Sequence, residues 1–362
     1  MHDHEYEDQQ TQEDLLDLNE VMHAFGISEW KNLGPVEPSN TQGLNLLIEV
    51  QGQRYVLKER AEGPVGEDPH YRYNFQQHLR QNGIPIPALW LTPQGEPMVT
   101  VGEDTFELQQ WVGGEQFSTA HPRSLDWVAY AAMELGRIHQ VSQRYPGPGY
   151  HWPSEVHIGA QVQGWLNLAR NKAEESEIQA VAAALSNWVD QWEAVLPSAM
   201  MSIGTGHNLP EFHIHGDYHA HNLRFGPFGV SAVMGFEASH WEKRIFEVAT
   251  GLFSFSALRW RTDSSLARPL VKRGFEPERA RQFLQAYGEV YPPVRGEASL
   301  LADALMLISP IATINGPLED LFYTQQDTEE VLIDDVLERL SWASSLPAWL
   351  RRVSRSLQEM WE

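Results

Sequence analysis

Asp217 and Asn222 stand five residues apart in the stretch HIHGDYHAHN, 213–222. A carboxylate and a carboxamide at that spacing, on a loop ahead of a hairpin, suit phosphoryl transfer. The carboxylate orients an attacking hydroxyl and takes its proton, and the amide oxygen is a magnesium ligand. About a dozen residues later comes VMGFEAS, 233–239, placed where a strand would deliver a second magnesium carboxylate. Gly235 occupies that position and offers no carboxylate. In an extended strand Glu237 would share a face with position 235 but lie about 6.5 Å further on. His213, His215, His219 and His221 alternate in the loop, so a histidine metal site is conceivable. Such spacing does not by itself converge side chains on one ion. His139 falls on an apolar helix face and reads as a structural histidine.

The elements that must position these residues follow from periodicity. Residues 15–26 suit a short helix stopped near Gly26. GLNLLIEV (43–50), the turn QGQ and RYVLKER (54–60) read as a hairpin, as do MVTV (98–101) and TFELQQWV (105–112) across GED. Between them, 67–82 carries Phe75 and Leu79 at helical spacing and ends before the prolines of NGIPIP. Gly113 and Gly114 then break the pattern and predict a hinge near Trp111–Gly114. Beyond them the chain turns helical, over 125–139, 178–195, 245–258, 277–290, 297–308, 328–342 and 347–361. Pro197 is expected to stop the helix before it. One more hairpin, 222–225 and 230–236, interrupts the helices. Strands with one helix, a glycine hinge, then helices around a small hairpin is an α+β, two-lobed pattern.

Composition narrows the partners. The chain has 362 residues, 26 Lys+Arg against 49 Asp+Glu, and a net charge of −23. That surface repels phosphate backbones, so nucleic acid is not an expected partner. There is no cysteine, which excludes disulfides and thiolate zinc sites and fits a reducing cytoplasm. No run of about 18 apolar residues predicts a membrane span. The acidic start, 1–13, is unlike a signal peptide and is expected to be a frayed tail.

HGDYHAHN followed by a hairpin resembles the loop of the aminoglycoside phosphotransferase and choline kinase-like family, which has a protein kinase-like fold. The resemblance runs along most of the chain. YVLKER resembles the strand whose lysine, here Lys58, holds the ATP phosphates. ELQQWVGGE resembles the hinge, which implies that Gln110, Trp111 and Val112 face the adenine. MELGRIH resembles the first helix of the second lobe. RIFEVA (244–249) resembles the element after the metal strand, with Glu247 in the acid's place. RARQFLQAYGEVYPP resembles a late helix of the homoserine kinase-like branch.

The resemblance implies an N-lobe over 14–112, a C-lobe over 113–362 and nucleotide between them. It implies ATP as donor, a hydroxyl of a small molecule as acceptor, Asp217 as base, and Asn222 as a magnesium ligand with Glu237 as a possible second. Ser39, Asn40 and Thr41 could touch the phosphates. Trp127, Trp152, Trp165 and Trp241 are candidates to line the acceptor pocket, with the core as their alternative place.

Two features depart from the pattern. Gly235 replaces the metal aspartate, and Arg72, Tyr73 and Asn74 hold no glutamate to pair with Lys58; Glu67 or Asp68 could serve only from a shifted helix. Two readings stay open: a weakened phosphotransferase, or a pseudokinase that binds a ligand or partner without transfer. If Gly235 has ordinary strand dihedrals, Gly235→Asp is expected to rebuild the magnesium site, read as tighter magnesium-dependent nucleotide binding.

Overall fold

The computed structural model describes residues 18–36, 44–60, 69–151, 157–206, 208–257, 275–322 and 330–362. The tail 1–13, Ser39, Asn40, Thr41, Glu67, Asp68 and Trp152 lie outside them. The described chain divides into two compact units. One runs up to Asn74 and adds Pro85–Gly113; the other takes Phe75–Ile84 and everything from Gly114.

The first unit is an antiparallel sheet of five strands. They are β1 Lys31–Pro35, β2 Asn45–Val50, β3 Gln53–Arg60, β4 Met98–Val101 and β5 Asp104–Gln110, in the order β1-β2-β3-β5-β4. The β2–β3 turn is tighter than expected. Val50 pairs with Gln53, so only Gln51 and Gly52 form the loop, both at positive φ. That is the geometry of a two-residue turn whose twist matches the strands. Alternate residues Ile48, Val50, Leu57, Phe106 and Leu108 point to one face and bury against Val21 and Met22 of a short helix, α1 (18–24), and Phe25 just after it.

The second unit is mostly helical. It contains α3 Ser124–Ser142, α4 Ile158–Glu175, α5 Gln179–Glu193, α6 Leu196–Thr205, α7 Arg244–Ser256, α8 Pro277–Val290, α9 Leu301–Phe322 and α10 Glu330–Trp361. The C-terminal half of α2, Pro69–Gln81, joins it through Phe75, which is fully buried. Two small antiparallel ladders sit among the helices: β6 Glu211–Ile214 with β9 His240–Lys243, and β7 Leu223–Gly226 with β8 Gly229–Val233.

Several boundaries differ from expectation for stated reasons. Pro197 does not stop α5; it sits in the first turn of α6, where its missing N–H costs nothing. Prolines 310 and 317 lie inside α9, which runs on past its predicted end at 308, and Pro347 lies inside α10, one helix where two, 328–342 and 347–361, are expected. Tertiary packing outweighs the local penalty, since α9 packs against α4, α6, α7 and α10. By length and composition alone Ala298–Phe322 would pass as a membrane span, yet 67% of that window is buried inside the protein.

One buried ion pair ties α7 to the segment before α9. Arg244 Nε donates to Glu297 Oε1 at 2.8 Å, and Nη2 donates to Oε2 at 2.5 Å and to the Pro292 carbonyl at 2.9 Å. Both side chains are fully buried, and the guanidinium lies 4.0 Å over the Tyr291 ring. Glu297→Ala leaves an uncompensated buried cation and is expected to cost about 3–5 kcal/mol. Urea unfolding of the variant, followed by tryptophan fluorescence, checks it.

Candidate active site

The loop 215–222 hangs from β6, and β6 is fixed by β9. The register pairs Glu211 with Lys243 and Ile214 with His240. Because β9 runs straight into α7, the first turn of α7 comes to lie under the loop. Glu247 stands in that turn and is buried. Its Oε2 accepts from the His215 backbone N–H at 3.1 Å and from the His139 ring at 2.8 Å; its Oε1 accepts from the Gly216 N–H at 2.6 Å. The other ring nitrogen of His139 lies 2.7 Å from the Tyr287 hydroxyl. The matched set assigns Nε2–H to His139, with Nδ1 accepting from Tyr287. His139 is thus structural, as its place on an apolar helix face predicts.

Burial works to raise the Glu247 carboxyl pKa. The His139 hydrogen bond, the adjoining His215 ring and the Gly216 N–H outweigh it and hold Glu247 below the usual carboxylate range. Gly216 has φ +84, and a Cβ there would run into the Ala238 carbonyl, so only glycine brings the loop this close to Glu247.

The rest of the loop is tied down residue by residue. His215 Nδ1 accepts from the Asp217 N–H at 3.2 Å, which leaves Nε2–H for the Met234 carbonyl at 2.7 Å. Tyr218 donates to the Ala131 carbonyl in α3 at 2.7 Å, and the Ala220 N–H reaches Ser254 Oγ at 3.2 Å. His213 bonds the Pro148 carbonyl. His213 and His215 therefore brace the backbone separately, and no group of three metal-binding side chains occurs among the described residues.

Asp217 Oδ2 accepts from the His219 ring at 3.1 Å and from Asn222 Nδ2 at 3.0 Å. Desolvation on its inner side works to raise its pKa, but the adjoining His219 and His215 rings and the Asn222 amide hold it at about 2. The side chain is 48% exposed. It opens on a cavity of about 390 Å³ whose walls include Trp165, His219, Glu242, Phe246, Phe253 and Ile308. Trp165 reaches the cavity, whereas Trp127 is buried in the core and Trp241 lines a neighbouring hollow. Glu242, Phe246 and the α4 and α9 residues Gln161 and Asn315 also line it, and sequence reading did not find them. Asn315, polar inside the apolar run of α9, is the signal that could have pointed there.

Position 235 corrects an expectation. Strand β8 ends at Val233, and Gly235 is left-handed, φ +80 and ψ 46, heading a 3-10 turn over Phe236–Ala238. The turn is pinned by Phe236, whose ring lies 6.2 Å from Phe75 and 4.2 Å from His215. Glu237 is therefore not two strand positions beyond Gly235, and the same-face argument for it fails. A Cβ on Gly235 would stand 2.5 Å from Asn222 Cγ and 2.6 Å from its Oδ1. Aspartate is among the residues that enter this left-handed region, so what Gly235→Asp meets first is the Asn222 amide, which has to shift before a metal site could be rebuilt.

A family model described as a phosphotransferase enzyme family matches residues 39–296. The chain belongs to the phosphotransferase enzyme family. Solved structures agree in fold. A microcompartment-associated aminopropanol kinase is 14% identical with a TM-score of 0.64, over 95% of this chain and 98% of that one. Choline kinase from Cryptosporidium parvum Iowa II is 12% identical with a TM-score of 0.57, over 91% of each chain. Spectinomycin phosphotransferase, solved with ADP and spectinomycin, is 13% identical with a TM-score of 0.56, over 94% and 98%. No curated protein matches the chain significantly. The protein kinase-like fold of this phosphotransferase family accounts for the strand-rich first unit and helical second unit.

Within that family the expected magnesium ligands can be tested against the side chains present. Magnesium takes oxygens in a near-octahedral set and is usually held by one or two carboxylates beside substrate phosphates. Position 235 has no carboxylate, and the Asn222 amide nitrogen donates to the Asp217 carbonyl at 2.8 Å as well as to its carboxylate. Those bonds use the amide nitrogen, so Asn222 Oδ1 is the oxygen left for a magnesium ion here, and position 235 adds none. Of the other predicted residues, Lys58 lies on β3 opposite Glu107, Gln110 ends β5, and the Trp111 N–H bonds the Arg54 carbonyl.

Two outcomes follow for the loop. Glu247→Gln sets an amide N–H against donors and is expected to cost about 3 kcal/mol or more, with faster hydrogen exchange at the Gly216 amide as the local signature. Burial pushes His213 and His221 down to about 4. Each must stay neutral in the fold while the unfolded chain takes a proton below about 6.5. Stability is therefore full above that pH and is lost as the pH falls from about 6.5 to 4. Thermal melts across that window check the slope; a flat profile contradicts it.

Proposed function

We propose that the protein transfers the γ-phosphate of ATP to a hydroxyl of a small molecule bound in the cavity beside Asp217. The observation that carries this reading is Asp217 itself. It is a carboxylate kept ionised, on a loop clamped by Glu247, opening on a cavity large enough for a metabolite-sized acceptor. The acceptor oxygen attacks the γ-phosphorus, the bond to the β–γ bridging oxygen breaks, ADP leaves, and Asp217 takes the hydroxyl proton. Lys58 is assigned to the phosphates and Gln110, Trp111 and Val112 to the adenine. No step is routed through magnesium. The cavity wall is chiefly apolar with Asp217, Glu242 and Glu247 as carboxylates, which disfavours an anionic acceptor. The aminopropanol, choline and spectinomycin named for the fold neighbours are hydroxyl compounds and support this acceptor class.

A second reading, a pseudokinase that binds without transfer, is favoured by one observation: Gly235 and the inward-turned Asn222. Calorimetry with ATP is expected to show weak binding barely changed by a chelator. ADP release measured over a panel of small alcohols then separates the readings. In the transfer reading Asp217→Asn lowers kcat by about 10²–10⁴ while ATP affinity is unchanged. ATP binding with no turnover on any acceptor, nor with water, would establish the binding module instead.

A further inference from the structure

We infer that Arg224 is a phosphate-binding residue whose open guanidinium edge takes oxygens of the donor's phosphate chain, an inference that rests on the phosphotransferase reading. Arg224 follows Asn222 by two residues, where the catalytic loop runs into β7. Its neighbours Leu223 and Phe225 are buried, so alternation turns Arg224 to the other side of the strand, where it is half-buried. Its Nη1 donates to the carbonyls of His221 and Leu223, both at 3.0 Å. The guanidinium is therefore folded back beside the end of the loop and held at one corner. Nε and Nη2 have no partner among the described residues.

What marks Arg224 is a desolvated charge without an opposite charge. Arg244, Arg279 and Arg339 are buried, and each has an acid, Glu297, Glu276 and Asp320 in turn. Arg224 makes no ion pair among the described residues, in a chain whose net charge is −23. Burial alone pulls its pKa below the ordinary arginine value. A guanidinium in that state gains from an anion that is not part of the chain. Nε–H and Nη2–H are parallel donors on one edge, a fork that fits two oxygens of a phosphate. The surroundings are fixed as well. The Glu115 N–H donates to the Phe225 carbonyl at 2.8 Å, and the Phe225 N–H donates back to the Glu115 carbonyl at 2.9 Å. Gly114 comes so close that a Cβ there would stand 2.9 Å from Arg224 Cβ. Gly114 is two residues beyond Val112, which is assigned to the adenine. Arg224 is thus packed beside the chain that leaves the adenine segment, on the strand that leaves the catalytic loop. Position 235 supplies no metal carboxylate, so a cation fixed in the protein carries more of the charge opposite the phosphates.

Calorimetry with inorganic triphosphate tests this, since that probe carries the phosphates without base or ribose. Arg224→Gln is expected to weaken triphosphate at least tenfold. Arg224→Lys keeps the charge but not the fork and is expected to lose less. Arg355→Gln, the same charge change at an exposed pair with Glu359 on α10, is expected to stay within twofold of the natural protein. Equal triphosphate affinity in Arg224→Gln and the natural protein would overturn the inference, as would an equal loss in Arg355→Gln or no triphosphate binding at all. Adenosine affinity is expected to be the same in Arg224→Gln and the natural protein; a loss as large as that for ADP would put Arg224 against the base instead. Phenylglyoxal labelling of the natural protein needs no folded variant. Triphosphate is expected to protect the peptide that contains Arg224, and labelling unchanged by triphosphate would overturn the site. The two readings fail separately. Triphosphate bound through Arg224 with no ATP bound or turned over would sink the phosphotransferase reading and leave this site. ATP bound and turned over equally in Arg224→Gln would sink this site and leave that reading.

Discussion

A single buried carboxylate, Glu247, holds the loop to the helical unit, and the rest of the site depends on it. A carboxylate buried without partners is costly, so its presence demands donors from every side. The fold supplies them from three stretches far apart in sequence: the backbone of 215 and 216, the His139 ring on α3, and through that ring the Tyr287 hydroxyl on α8. Each contact orders a different element. The register of β6 on β9, the approach of α3 to α7 and the place of α8 all have to be right for the carboxylate to be satisfied at once. Such a network specifies one arrangement more sharply than apolar packing would, because every partial arrangement leaves a buried charge exposed to nothing.

The second buried pair works one turn earlier on the same helix. Arg244 begins α7 and is locked to Glu297, so the helix start is fixed in rotation before Glu247 is reached three residues later. Three residues is close to one turn, which puts both charges near one side of the helix end. The two acids therefore divide the labour. Glu297 anchors α7 to the chain ahead of α9, and Glu247 anchors the loop to α7.

Much of this was legible in the sequence where local chemistry determines local structure. HGDYHAHN identified the loop, RIFEVA identified the acid, and alternation identified β2, β3, β4 and β5. The strands β6 and β9 were missed because EFHI and HWEK are short, carry charge and have no period long enough to read. Helix α9 was cut short and α10 divided in two at prolines because a sequence window cannot weigh a local penalty against burial elsewhere. Gly235 was legible as an absence and illegible as a shape. The residue type says that no carboxylate is present; it does not say that φ is positive or that Asn222 lies against the Cα. Those depend on where the 3-10 turn begins, which Phe236 decides by packing between Phe75 and His215.

The low pKa of Asp217 bears on how such a loop can act. A carboxylate held at about 2 is ionised throughout the physiological range but is a weak proton acceptor. It cannot pull the proton from an alcohol before attack begins. Phosphoryl transfer does not require that, because its transition state is loose and the hydroxyl becomes acidic only as its bond to phosphorus forms. What the early reaction needs is an oxygen acceptor in a fixed place to aim the hydroxyl. Two donors on one carboxylate oxygen, from His219 and Asn222, give Asp217 that fixed place, at the expense of basicity it does not yet need. In the proposed transfer, strengthening the base by removing those donors would loosen the aim, so orientation and proton affinity pull against each other at Asp217.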